Sequence, residues 1–168
     1  MPDFLNQILL GQFEAALSML NQCLAACPPE HWEGKIANDS FRQIAYHALF
    51  CADLYLTPDE NVFALRDLHQ RGGDERGPDL SPGLSREESL AYAAMILDKA
   101  RATFAAETPD SLAGPSGFAR HAIPRGELHI YNIRHIQHHA AAMGAYLRRV
   151  AGAALDAQAL RWVRTGWR

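Results

Sequence analysis

The chain has 168 residues, 48% hydrophobic and 21% charged, with a formal net charge of −3; this excludes a disordered or fibrous class and fits one globular domain over residues 1–168. No run nears the roughly 18 apolar residues of a membrane span, and the opening MPDFLNQ lacks the basic start of a signal peptide, so the expectation is a cytoplasmic protein without a membrane partner. Residues 1–117 carry 8 Lys/Arg against 17 Asp/Glu and residues 118–168 carry 8 against 2, which reads as an acidic part packed beside a basic helix; no basic stripe with interleaved aromatics points to nucleic acid.

Residues 3 to about 26 predict a first helix: Asp3 can cap it, Phe4, Ile8, Phe13, Ala16, Leu17, Leu20 and Leu24 recur at helical spacing, and Pro28 and Pro29 stop it. The connector after it places Trp32 to lid one end of the core and leaves His31 in solvent. A second helix over 39–56 starts at Asp39 or Ser40 and ends at Thr57-Pro58; its inward seam is Ser40, Ile44, His47, Cys51 and Leu54. Residues 58–84 form a long Gly/Pro/Asp-rich connection with one short apolar piece, VFALRDL, and an exposed His69; long loops of this kind cover sites or partner surfaces. A third helix over 85–106 opens with a Ser85/Glu88 capping box and offers no inward histidine or carboxylate. After a second Gly/Pro-rich connection, a fourth helix runs over 125–150, with His121 and His129 near its start in structural roles. The tail, 152–168, mixes Trp162 and Trp167 with arginines and reads as a further helix packed on its own domain or on a second subunit. The three cysteines, Cys23, Cys27 and Cys51, form no CxxC pair and read as small core residues.

Chemistry concentrates on the fourth helix. His135 and His139 are spaced i, i+4, only about 40° apart on the wheel, and form a clip able to hold one metal ion from one face. They lie at the edge of an apolar arc made by Ile136, Ala140, Met143, Leu147 and Val150, while His138 lies on the flank and ranks below them as a ligand. His47 stands about 12 Å into the second helix and His135 about 15 Å into the fourth, so mid-height meets mid-height whichever way each helix runs. His47, His135 and His139 are thus the candidate metal ligands. Four long helical patterns without credible strands predict an all-α four-helix bundle. A di-iron carboxylate centre is excluded because the second helix has no glutamate and no inward ExxH occurs; HExxH and CxxCH are absent too. Three neutral imidazoles leave a divalent ion coordinatively open, the arrangement of a catalytic rather than a closed structural site.

IAYHALFCADLYL around His47 and GELHIYNIRHIQHHAAAM on the fourth helix resemble the DinB/YfiT-like metalloenzyme family, as does the order of four helices with a long second connection. The resemblance implies a four-helix bundle of up-down-down-up connectivity, commonly a homodimer. It implies a divalent metal, Zn²⁺ or Ni²⁺ first, on His47, His135 and His139, with the adjacent His138 not ligating. It implies a small-molecule substrate and, as leading activity, S-transfer dependent on a low-molecular-weight thiol. A metal-dependent hydrolase and a non-catalytic, stress-associated binding dimer are the alternatives. Arg125 and Arg134 are basic residues not far from the site in sequence, which favours the S-transfer reading; Glu127, two turns before it, and Asp53, about 120° from the His47 face, offer no evident general base.

Overall fold

The computed structural model describes residues 4–65, 68, 84–152, 155 and 159–167. The chain is mostly helical: α1 is Phe4–Ala26, α2 Phe41–Leu56, α3 Arg86–Ala106, α4 the short Pro109–Ala113 and α5 Arg125–Val150. Strand content among the described residues is one two-residue hairpin, β1 (Lys35–Ile36) with β2 (Asp39–Ser40), paired antiparallel ahead of α2. The long helices pack pairwise, α1 against α3 and α5, and α2 against the same two. The helix carrying two of the candidate histidines therefore lies between α1 and the helix carrying the third.

Local chemistry sets the helix ends. Ser40 caps α2: its Oγ accepts from Gln43 N–H at 3.2 Å while Gln43 Oε1 accepts from Ser40 N–H at 2.8 Å. Ser85 and Glu88 make the same reciprocal pair at the start of α3. Thr108 with Pro109 at the first helical position starts α4, a turn whose five residues carry too little periodicity to be read in sequence. Fully buried side chains fill the space between helices, among them Phe13, Leu17 and Leu20 of α1, Leu49 of α2, Tyr92 and Ile96 of α3, and Ile136 and Leu147 of α5. Each stabilises the fold by about 1.5–3 kcal/mol relative to exposure.

Polar ties fix how the helices sit. Asp53 on α2 accepts from Lys99 Nζ and, at 2.8 Å, from the Tyr92 hydroxyl, both on α3. Asp53 is thus committed to the α2/α3 seam and faces away from the histidines. Trp32 is buried, donates Nε1–H to Leu84 O at 3.2 Å and packs on Phe41, closing one end of the core. The approach of α5 to the α1–α2 connection is so close that a Cβ on Gly34 would meet the Tyr146 hydroxyl at 1.7 Å.

Two expectations change. Phe4 and Ile8 keep the helical spacing of the apolar stripe but are 75% and 45% exposed, because the buried face of those first turns runs instead through Asn6, which donates to Glu107 O at 2.7 Å, and Leu9. The described tail residues 159–167 are not helical; they lie along α1, where Gly166 N–H donates to Gly11 O at 2.9 Å and Gln12 Nε2 to Arg164 O at 3.0 Å. Backbone pairing to α1 and a left-handed Gly166, φ 73°, replace a helix there. Of VFALRDL, residues 62–65 and 68 are described, and only Val62 is in a helical turn, the single 3-10 turn Glu60–Val62; residues 66, 67 and 69–83, with His69, lie outside the described residues. Among the described residues no helix is long and apolar enough to cross a membrane.

Candidate metal centre

His47 on α2 and His135 and His139 on α5 converge, each offering a ring nitrogen, and these nitrogens all lie within 4.8 Å of one another. The His135 and His139 rings have centroids 4.5 Å apart, and His47 stands 5.2 Å from the first and 5.1 Å from the second. His139 is buried, and the other two are half-buried. Convergence follows from α-helical geometry: the i, i+4 pair points one way from α5, and α2 packs against that face with His47 at matching height.

The donor set fits a divalent ion. His135 Nε2 and His139 Nε2 are 3.1 Å apart, and two nitrogens bound at about 2.0–2.1 Å to one ion, at angles from 90° to tetrahedral, stand roughly 2.9–3.4 Å apart. All three ligand atoms are neutral nitrogen, which suits first-row transition ions and zinc better than calcium or magnesium. Tyr131 stacks on His135 at 6.1 Å with 20° between planes, holding that ring in orientation. His138 is exposed, its ring 5.1 Å from that of His139, and it stands outside the converging set.

The three histidines line a cavity of about 630 Å³, of the size that takes small molecules. Cys51, one turn beyond His47, also lines it, with Sγ 3.9 Å from His47 Nε2. So does Tyr55, whose hydroxyl is 3.2 Å from His121 Nε2. Burial, with Cys51 and Tyr131 beside it, pushes the Tyr55 phenol up and keeps it protonated. The other two thiols are remote from the cavity; burial pushes Cys23 and Cys27 each up to about 12, consistent with inert core residues.

The opposite wall comes from loops. Glu60, from the turn after α2, and Phe118, Arg120 and His121, from the α4–α5 connection, complete the cavity. Gly117 makes this possible: its φ is 82°, and a Cβ there would stand 2.2 Å from Pro58 O. Glu60 N–H donates to Gly117 O at 3.0 Å, and Glu60 Oε1 accepts from Ala119 N–H at 3.1 Å. Gly117→Ala is expected to cost about 1–3 kcal/mol through strain and displacement of this loop, read as a lower denaturation midpoint, while zinc uptake by the three helix-borne histidines persists.

Arg125 and Arg134 do not serve the cavity. Arg125 is buried and donates to the α2 terminal carbonyls of Tyr55, Leu56 and Thr57 at 2.7–3.0 Å and to Glu107 Oε1 at 3.0 Å. Arg134 is exposed and is not among the cavity's lining residues. His129, fully buried, also bonds Glu107, a structural role as expected; His121 instead joins the cavity wall. Cys51, Tyr55 and Tyr131 follow helical spacing from His47 and His135, so the wheel carried a signal for them. Glu60, Phe118, Arg120 and His121 had none, since loop residues obey no period.

No family model, no curated protein and no solved structure matches this chain. The site is therefore argued from its own geometry.

Proposed function

We propose that the chain is a divalent-metal-dependent enzyme acting on a small molecule, a DinB/YfiT-like four-helix bundle of up-down-down-up connectivity in which His47, His135 and His139 hold Zn²⁺ or Ni²⁺. One observation carries this: three ring nitrogens within 4.8 Å of one another on the wall of a cavity open to ligands. A bound divalent ion there would supply Lewis acidity, lowering the pKa of a thiol or water entering its open position. Three neutral ligands leave the ion's charge uncompensated, which favours an anionic fourth partner, and a thiolate suits the same soft-to-borderline ions. S-transfer is accordingly the leading activity: a sulfur–carbon bond forms at an electrophile, its leaving group departs and the thiol proton passes to water. Within the chain, Tyr131 orients His135 and the protonated Tyr55 hydroxyl offers a donor beside the ligands.

The test is turnover of a model electrophile with a panel of cellular thiols by zinc- or nickel-loaded protein. A rate that depends on the thiol and falls to background with chelator and in His135→Ala is expected; a rate indifferent to both ends the reading. Hydrolysis of an ester or amide is the second reading, favoured by the Glu60 carboxylate and the His121 imidazole on the same cavity wall. A non-catalytic dimer is weighed down by the cavity itself, which a purely structural ion does not need. A homodimer accompanies the enzymatic reading, and the exposed Phe4, Leu5 and Ile8 offer apolar surface for it; sedimentation velocity reads the mass directly.

A further inference from the structure

Arg120 lines the histidine cavity from the α4–α5 loop, yet it makes no hydrogen bond or ion pair with the described residues. The backbone on either side of it is held. Gly117 O accepts from Glu60 N–H, Ala119 N–H donates to Glu60 Oε1, and His121 N–H donates to Phe118 O at 3.0 Å. Glu60, the one carboxylate among the lining residues, is thus engaged with a backbone amide, and the exposed Arg120 side chain leaves a held stretch of loop backbone. The rings of Tyr55, Phe118 and Tyr131 line the same cavity; Tyr55 contacts Phe118 and Tyr131, and both tyrosines contact His135.

Building on the metal reading above, we propose that this cavity takes small ligands bearing a carboxylate on a short apolar arm, with Arg120 as the residue that reads the carboxylate. The planar guanidinium fork matches a carboxylate in two parallel charge-assisted hydrogen bonds. The aromatic walls accept the arm, and the opposite end of the ligand reaches the imidazoles. Glu60 lines the same cavity, and its negative charge opposes a dianionic group at the Arg120 end, such as a phosphate monoester, more than it opposes a carboxylate. Within the leading activity, the thiol or its electrophilic partner is therefore a carboxylic acid.

Calorimetric titration of the full zinc-loaded chain with 3-mercaptopropionate and with 3-mercaptopropan-1-ol tests this. The wild type should prefer the carboxylate on the order of tenfold or more. Arg120→Gln should erase the preference while keeping zinc uptake and the affinity for the neutral thiol. On the metal-free chain, where no ion competes for the anion, Glu60→Gln, which retains an acceptor for Ala119 N–H, should gain affinity for inorganic phosphate. Equal affinities in the wild type, or an undiminished preference in Arg120→Gln, overturn the proposal. On the metal-free protein the pair 3-phenylpropanoate and 3-phenylpropan-1-ol reads Arg120 alone. Failure of zinc to bind would overturn the metal reading and leave that second measurement to decide this one.

Discussion

Metal-free protein titrated with zinc should take up one ion per chain, and His47→Ala, His135→Ala and His139→Ala should each weaken uptake by more than the roughly 10–100-fold that removing an outer partner costs. The three nitrogens stand within 4.8 Å of one another, and deleting one leaves a two-point clip without the geometry of a closed face. Competition against a zinc-sensitive dye measures the affinities. Cobalt substitution adds a visible spectrum whose intensity reports coordination number. His138→Ala is the control and should bind as the wild type does, because His138 stands outside the set. Since imidazole ligates only as the neutral base, affinity should fall with pH on the acid side. Uptake unchanged in all three ligand variants would leave the centre without support.

Removing Glu107 should be the most damaging single change to stability outside the apolar core. Burial works to raise its carboxyl, but hydrogen bonds from His129, Ser111 and Arg125 together outweigh that and bring it down to about 2. Glu107→Ala strands the Arg125 guanidinium, 5% exposed, and the fully buried His129 without their shared anion, at a cost of about 3–5 kcal/mol. Burial lowers the His129 pKa as well, so its imidazole is neutral and its one proton lies on Nε2, facing Glu107; Nδ1 has no partner among the described residues. Both shifts carry the same sign. Each group binds its proton more weakly folded than unfolded, so stability declines as acidity rises. The decline should begin below the ordinary histidine value of 6.5 and continue as the pH falls from 4.5 through about 2. Urea midpoints from pH 8 down to pH 3 will show it, and Glu107→Gln should lack the lower stage.

The helices were legible wherever the signal was local. A cap at Asp39 or Ser40, the Ser85 and Glu88 box, and the Pro28-Pro29 stop are each contained within four residues, and α2, α3 and α1 begin or end beside them. The convergence of His47 with His135 and His139 was legible for the same reason: one helical period places the pair, and helix length places the third at the same height. The cavity's loop wall was not. Arg120 reaches it because Gly117 lets the chain pass against Pro58, a contact between segments nearly sixty residues apart that leaves no spacing to detect. Arg125 is near the site only along the chain: its sequence neighbours form the site helix, while its hydrogen-bond partners belong to the end of α2 and to Glu107. In the tail, apolar and basic residues alternate loosely enough to suit a helix, and only pairing with α1 decides otherwise.

The Arg125 tie acts on the site from a distance. By gathering the carbonyls of residues 55 to 57 onto the first turn of α5, it clamps together the ends of the two rods that bear the imidazoles. The gap between them becomes a caliper whose jaws are set by the scaffold before any guest arrives. Zinc and the first-row ions take imidazole nitrogen at about 2.0–2.1 Å, whereas calcium, which gathers six to eight oxygens at about 2.3–2.6 Å, finds three nitrogens there instead.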